Sequence, residues 1–188
     1  MTEITKTIET MPQAIRRFVL HWGDMGGQWG VNRSVAQIHA LLYISEAPMT
    51  AEDICDCLGI ARSNVSNSLR ELLGWKIIRR EPVAGDRRDH FVAEVDVWEI
   101  AKHIAAVRKQ RELEPALETL DACLAAADAD KNISSVQRER LLAMQKFTQD
   151  VSGFHEQMMR VPAPTLLRLV KMGDKIVGLL NMGRKPKD

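Results

Sequence analysis

The stretch that decides the fold is residues 50–94, TAEDICDCLGIARSNVSNSLRELLGWKIIRREPVAGDRRDHFVAE. Its start predicts a short helix, because the Thr50 hydroxyl can accept a hydrogen bond from the free backbone N–H of Glu52 or Asp53. The two acidic residues also suit the positive end of a helix. Gly59 then falls where a tight turn between two helices needs a residue that tolerates a positive φ. The stretch is therefore expected to open with two short helices joined by a glycine turn.

The second of these helices is predicted over about Arg62 to Leu73 and has two different faces. Three apolar residues recur at helical spacing and should pack on the rest of the domain: Val65, Leu69 and Leu72. The opposite face is polar and basic, a composition that costs helix propensity and that packing alone does not explain. Its members are predicted to contact DNA: Arg62, Ser63, Asn64, Ser66, Asn67 and Arg70. A helix of about 12 residues is ~18 Å long and fits the major groove of B-DNA.

A basic hairpin is predicted to follow this helix. Ile77–Glu81 and His90–Glu94 have the composition of two short strands, and Gly85 permits a turn in the long segment between them. Two short helices followed by such a hairpin indicate a winged helix-turn-helix domain, in which the hairpin is the wing and reaches the minor groove or the backbone of the DNA.

Two adjacent arginines, Arg87 and Arg88, stand at the tip of the predicted wing. Either can enter a minor groove, where A·T-rich DNA concentrates negative potential, and both are predicted DNA-binding residues. One of them can instead be structural and bridge Asp86 or Asp89, so that it holds the loop. The sequence leaves open which arginine has which role.

Helices are also predicted upstream of this stretch. Apolar residues at helical spacing indicate helices over residues 10–24 and 33–46. The glycine-rich segment from Gly23 to Gly30 is expected to end the first of them, because glycine is a poor helix former.

The remainder of the chain is predicted to be helical as well. A long helix is expected over residues 96–127, with a kink or a new start at Pro115. Ser134 or Ser135 can cap the next helix. A last amphipathic helix is predicted over residues 165–181.

Composition places the chain among globular proteins. Its 188 residues are 45% hydrophobic and 27% charged, and no segment approaches the ~20 apolar residues that a membrane span needs. No secretory signal is visible at the N-terminus. Three cysteines, two of them closely spaced at Cys55 and Cys57, do not suit a disulfide framework, and Cys55 is expected to be a small core residue. We therefore expect a cytoplasmic protein.

Charge is distributed unevenly along the chain. The formal net charge is only +1, but residues 61–90 contain seven basic and four acidic residues, which is a local charge of +3. No nucleophile with a neighbouring base, no phosphate-binding glycine loop and no paired metal-ligand spacing among the five histidines is recognisable. We therefore expect no enzyme, no cofactor and no metal site, and we expect double-stranded DNA as a partner.

The segment Ile54–Asp96 resembles the winged helix of the MarR superfamily, in particular its GbsR-like branch. The resemblance is carried by ARSNVSNSLRELLGWKIIRREPVAGDRRDHFVAEVDVWEIAK (61–102), FVLHWGDMGGQWGVNRSVAQIHALLYIS (18–45) and RKQRELEPALETL (108–120). It covers roughly residues 14–125. It implies a homodimeric transcription regulator, usually a repressor that answers to a small effector, whose N- and C-terminal helices form the dimer interface. Lys76 departs from the pattern of the family, which usually has glycine after the tryptophan that corresponds to Trp75. We expect only a minor change in the turn that leads into the wing.

The resemblance implies three regions. Residues 1–32 would hold a dimerisation helix and a glycine-rich loop, residues 33–95 the winged helix-turn-helix, and residues 96–188 a helical dimerisation and effector region. Trp22 and Trp29 flank the glycine-rich loop near the expected dimer seam and are candidate effector-binding residues, with core or interface positions as the alternative. The competing function is a winged-helix module that binds proteins and not DNA.

Overall fold

The computed structural model describes residues 7–162 together with residues 164, 165, 168, 172 and 173. The chain forms two compact units, residues 1–104 and residues 105–188. The helix predicted over residues 165–181 lies largely outside the described residues. None of the described helices is long and apolar enough to cross a bilayer.

The first unit is mainly helical and contains one small sheet. A 3-10 turn at Ile8–Thr10 precedes its regular elements, which are α1 (Gln13–Gln28), α2 (Arg33–Ile44), β1 (Met49–Thr50), α3 (Ala51–Leu58), α4 (Arg62–Gly74), β2 (Ile78–Arg80), β3 (His90–Ala93) and the start of α5 (Val97–Arg108). Two helices joined by a tight turn are followed by an antiparallel hairpin, so this unit has the predicted winged helix-turn-helix fold.

The first helix starts and ends later than the predicted residues 10–24, and the expectation that its glycines would end it is wrong. α1 continues through Gly23, Gly26 and Gly27 and ends only at Gln28. The reason is close packing against α2: a Cβ added to Gly26 would lie 2.4 Å from the Cβ of Ala36. Glycine is therefore needed where the two helices approach, and this contact offsets its poor helix propensity.

The sheet has three strands in the order β1–β3–β2, and β1 was not predicted. A strand of two residues has no periodicity that a sequence can reveal; here Met49 pairs with Phe91 and Thr50 with His90. The predicted pair of wing strands is confirmed. Backbone hydrogen bonds extend the pairing by one residue at each end, from Glu81 to His90 and from Glu94 to Ile77, both at 2.9 Å.

The core of the first unit is centred on α2, which packs against α1, α4 and β3. The apolar face predicted for α4 is buried, as are Val35, Ile38, Leu41 and Leu42 of α2. Among the most completely buried side chains are Ile38, Leu41, Ile54, Val65, Leu72 and Ile77. α4 is thereby held by one face, and its polar face is left outward.

The turn between α3 and α4 has the predicted chemistry. Thr50 caps α3: its hydroxyl accepts a hydrogen bond from the Asp53 backbone N–H at 3.2 Å, and the Asp53 carboxylate accepts one from the Thr50 N–H at 2.8 Å. This reciprocal pair satisfies two backbone donors at the start of the helix. Gly59 ends the helix in the left-handed conformation, with φ of 64°.

The cysteine prediction is wrong in one respect. Cys57, not Cys55, is the fully buried residue, whereas Cys55 is half-buried. Ile54 and Cys57 are three residues apart and so lie on the same, inward face of α3. Burial raises the pKa of the Cys57 thiol, which favours the unreactive protonated form.

Lys76 occupies an unusual position at the end of α4. It has φ of 59°, the positive value that favours glycine, and no other non-glycine residue among those described has a positive φ. Its N–H donates to the Leu73 carbonyl at 3.0 Å, and the N–H of Ile77 donates to the Leu72 carbonyl at 3.3 Å. These two bonds form a Schellman motif, so the turn keeps the geometry that glycine usually provides, at the cost of strain in Lys76.

The second unit contains a helical pair. A π-helical turn at Lys109–Leu113 leads into α6 (Glu114–Ala129), where Pro115 lies in the first turn. α7 (Ser135–Arg160) packs against α6. Ser134 caps α7: its hydroxyl accepts a hydrogen bond from the Gln137 backbone N–H, and the Gln137 side chain accepts one from the Ser134 N–H. Of the two predicted cap candidates, Ser134 and Ser135, the cap is therefore Ser134.

Candidate nucleic-acid interface

The outward face of α4 carries most of the residues predicted to contact DNA. Arg62, Ser63, Ser66, Asn67 and Arg70 are all exposed. Arg70 donates a hydrogen bond to the Asn67 side chain at 3.2 Å, which orders two polar groups on the same face. The structure therefore brings these five side chains together on one accessible helix surface.

Asn64 differs from its neighbours on α4. It is half-buried, and its side-chain amide donates a hydrogen bond to the Ser34 hydroxyl at 2.9 Å. Ser34 lies in the first turn of α2, so this bond links the start of α4 to the central helix of the unit. In this structure Asn64 positions α4, and its amide is already engaged by a protein partner.

The wing tip distinguishes the two arginines that the sequence left equivalent. The Asp86 carboxylate accepts hydrogen bonds from the Arg88 backbone N–H at 2.9 Å and from Nε and Nη2 of its guanidinium at 3.0 and 2.5 Å. These hydrogen bonds to Arg88 hold the pKa of Asp86 well below its usual range. Arg88 is therefore the arginine that holds the loop, and Gly85, with φ of 83°, allows the chain to turn just before it.

Arg87 is exposed and has no ion-pair or side-chain hydrogen-bond partner among the described residues. Its neighbour Arg88 is fixed against Asp86, so Arg87 projects from an ordered loop. A guanidinium in this state can pair with a phosphate or enter a narrow minor groove without first breaking an internal contact.

A cleft of about 410 Å³ lies between α4 and the wing. It contains four arginines and two carboxylates, and its lining residues are Ala51, Glu52, Arg62, Ser66, Leu69, Arg70, Leu73, Arg80, Arg88, Asp89 and Phe91. Two of these charged groups, Glu52 and Arg80, were not predicted as part of the site. The sequence offered no distinct signal for them, because Glu52 resembled an acidic residue in the first turn of a helix and Arg80 an ordinary strand residue.

Carboxylates pair with most of the arginines around the cleft. Glu52 accepts a hydrogen bond from Arg62 across the helix-turn-helix, and Asp89 lies 3.2 Å from Arg80. The hydrogen bond from Arg62 lowers the pKa of Glu52. These pairs leave fewer guanidinium groups available to phosphates than the number of basic residues indicates. At the wing tip, Arg87 is the arginine without such a pair among the described residues.

The two tryptophans predicted as effector residues lie about two helical turns apart, Trp22 within α1 and Trp29 directly after its last residue. Trp22 is half-buried and its ring lies 5.4 Å from that of Phe18, whereas Trp29 ends the helix and is 60% exposed. Phe18 also approaches Tyr43 of α2, with ring centroids 6.4 Å apart. An aromatic group thus bridges α1 and α2, and the sequence did not reveal that Phe18 and Tyr43 belong to it.

His39 adds a buried imidazole to this aromatic group. Its ring lies 6.4 Å from that of Tyr43, and its Nε2 is buried without a hydrogen-bond partner among the described residues. Burial lowers the pKa of His39 to about 4, because an apolar environment disfavours the charged imidazolium. Beside the group, an open concavity is lined by Gln13, Ala14, Arg17, Phe18 and His21. No group of three metal-ligating side chains is found in the described part of the chain.

Comparison with known proteins finds a family whose sequence model matches part of the chain. Residues 29–89 match the sequence model of the MarR family, and this segment holds α2, α3, α4 and β2. A crystal structure described as that of a transcriptional regulator shares the fold, with a TM-score of 0.61 and 18% identity over 78% of this chain and 95% of that chain. A structure of an S. aureus MepR mutant bound to an oligodeoxyribonucleotide has a TM-score of 0.36 and 20% identity, covering 75% of this chain and 90% of that chain. No curated protein sequence matches the chain.

Proposed function

We propose that this chain is a sequence-specific transcription regulator of the MarR type that binds double-stranded DNA in the cytoplasm. The observation that carries the proposal is the exposed polar face of α4 beside an ordered wing, whose Arg87 has no side-chain partner among the described residues. The MarR family match over residues 29–89 supports it, and the winged helix-turn-helix fold suits it. Specificity then comes from one helix face and one loop, since the net charge of the whole chain is only +1.

The proposed binding mode assigns different tasks to the two elements. α4 enters the major groove, where Ser63, Ser66 and Asn67 are short enough to approach base edges. The wing follows the DNA backbone, and Arg87 enters the adjacent minor groove or pairs with a phosphate there. Arg88 holds the wing loop through Asp86 and contributes to DNA binding mainly by fixing the position of its neighbour.

We further propose that the regulator is a homodimer with two α4 helices in successive major grooves, ~34 Å apart. The support comes from α7, where Met144, Phe147 and Phe154 share one face and are 56%, 65% and 61% exposed. Large exposed apolar groups on one helix face favour burial against a partner. Replacement of Phe147 and Phe154 by glutamate should give a folded monomer in sedimentation analysis, and a dimer of unchanged stability would refute this interface.

A repressor role with release by a small effector, as in the GbsR-like branch, is the finer form of the proposal. It is supported by the aromatic group of Phe18, Trp22 and Tyr43, which lies beside an open concavity on α1. Because α2 packs against both α1 and α4, a ligand at this group can bias the position of the DNA-contacting helix. A Trp22→Leu variant tests this site. It should bind DNA like the native protein, but a compound that releases the native protein from DNA should fail to release the variant.

The experiment that tests DNA binding is a fluorescence anisotropy titration on the DNA upstream of the protein's own gene. The native protein should bind with a steep salt dependence between about 50 and 200 mM NaCl. Arg87→Ala should weaken binding and reduce the slope of log K against log salt by about 0.9. Lys131→Ala is the matched control, because it removes one exposed positive charge from the α6–α7 turn and should leave the slope unchanged. Absence of binding to any duplex at micromolar protein would favour the protein-interaction module.

A further inference from the structure

Glu52 stands in an unexpected place for a protein that binds DNA. It lies in the second position of α3, and its carboxylate lines the cleft between α4 and the wing together with four arginines. Its side chain is 40% exposed, so the negative charge faces the same side as the residues proposed to contact DNA. A carboxylate there opposes the approach of phosphates, and its presence requires an explanation.

The partner of Glu52 is Arg62, the first residue of α4. The guanidinium donates a hydrogen bond to the carboxylate across the helix-turn-helix, and the two residues are ten positions apart in the sequence. The hydrogen bond from Arg62 and the charges of Arg62 and Arg88 lower the pKa of Glu52, so the carboxylate is ionised at neutral pH. Arg62 is 72% exposed, and an ion pair of two exposed side chains is weak and easily exchanged.

We infer that Glu52 is a specificity-determining residue that withholds Arg62 from DNA of arbitrary sequence. The inference rests on the proposed DNA-binding function. On arbitrary DNA the main partner for Arg62 is a phosphate. The binding free energy gained from this contact is reduced by two costs: the ion pair with Glu52 is lost, and the Glu52 carboxylate is left near the DNA backbone. On a matching site, α4 is held close by its other contacts, and Arg62 can exchange the carboxylate for a bidentate base edge. Glu52 thus lowers affinity for arbitrary DNA more than affinity for the true site.

The test compares two substitutions that change net charge equally. Glu52→Gln removes the carboxylate from the cleft, and Asp56→Asn removes one from an exposed residue of α3 that does not line the cleft. Each is titrated against a random-sequence duplex of about 24 bp and against a duplex selected in vitro with the native protein. We expect Glu52→Gln to raise affinity for the random duplex at least about threefold relative to Asp56→Asn and to steepen its salt slope by about 0.9. The ratio of selected to random affinity should fall.

A double-mutant cycle with Arg62→Ala separates this role from simple repulsion. If Glu52 acts through Arg62, Glu52→Gln should have no more effect than Asp56→Asn once Arg62 is absent. An equal gain in the Arg62→Ala background would overturn the inference in favour of direct repulsion. A loss of affinity in Glu52→Gln would overturn it in favour of a positioning role. Failure of the native protein to bind any duplex would refute the proposed function itself, and circular dichroism of each variant verifies that the fold is retained.

Discussion

Two adjacent glycines of α1 should respond in opposite directions to the same substitution. Gly26 faces α2, and a Cβ added there would lie 2.4 Å from the Cβ of Ala36. Gly27 faces away, and apart from the backbone of its own helix a Cβ added there would have no atom of the described residues within 4 Å. Gly26→Ala and Gly27→Ala therefore add the same methyl group to the same helix, and only the first creates a clash.

The magnitudes follow from helix propensity and packing. Alanine is favoured over glycine in the middle of a helix by up to about 1 kcal/mol. Gly27 lies near the end of α1, so Gly27→Ala should raise the free energy of unfolding by a smaller amount, at least a few tenths of a kcal/mol. At Gly26 this gain is outweighed, since carbon atoms normally pack about 3.5–4.0 Å apart and the two helices would have to separate by roughly 1 Å. Overpacking of this kind costs about 1–3 kcal/mol. We expect Gly26→Ala to destabilise the first unit by about 1–2 kcal/mol.

Urea unfolding followed by tryptophan fluorescence is a suitable assay. All four tryptophans (Trp22, Trp29, Trp75 and Trp98) lie in the first unit, so their emission reports on that unit. With a slope of about 1.5 kcal/mol per molar urea, Gly26→Ala should lower the midpoint by roughly 1 M, and Gly27→Ala should raise it slightly. Equal shifts for the two variants, or a Gly26→Ala protein as stable as the native one, would refute the close approach of α1 and α2.

Two further predictions concern single residues. Lys76→Gly should stabilise the protein by about 0.5–1 kcal/mol, because relief of the left-handed strain exceeds the entropy that glycine adds to the unfolded chain; a lower urea midpoint would contradict this. For His39, the folded pKa of about 4 lies below the unfolded value of 6.5, so its contribution to stability is present above pH 6.5 and lost as pH falls towards 4. Between neutral pH and about pH 4.5, the free energy of unfolding of the native protein should fall by about 2.5 kcal/mol more than that of His39→Leu. If the unfolding free energies of the two proteins change in parallel with pH, His39 is not buried as a neutral imidazole.

The elements that the sequence predicted well are those with local signals. α4 could be placed to within one residue because Val65, Leu69 and Leu72 repeat at helical spacing, and the cap at Thr50 and the turn at Gly59 follow from the chemistry of single residues. These features depend on neighbours a few positions away. They are therefore visible in the chain without its fold.

Most of the features that were missed depend on contacts between different elements of the fold. The glycines of α1 were expected to end the helix because propensity is a local property, whereas the contact of Gly26 with Ala36 that requires them is a tertiary one. The role proposed for Glu52 depends on its hydrogen bond with Arg62 across the turn between α3 and α4. The choice between Arg87 and Arg88 was missed for another reason: Asp86 and Arg88 are only two residues apart, but which arginine the carboxylate binds depends on the folded conformation of the wing loop.

In the proposed binding mode, α4 and the wing contact DNA as separate reading elements, and a hydroxyl-radical footprint on the selected duplex distinguishes their contacts. The native protein should protect two segments about 10 bp apart, each with a flanking minor-groove region. Arg87→Ala should lose the flanking minor-groove protection and keep the protection assigned to α4. A footprint that Arg87→Ala leaves unchanged would contradict the minor-groove contact of the wing, and the absence of any footprint at saturating protein would contradict DNA binding itself.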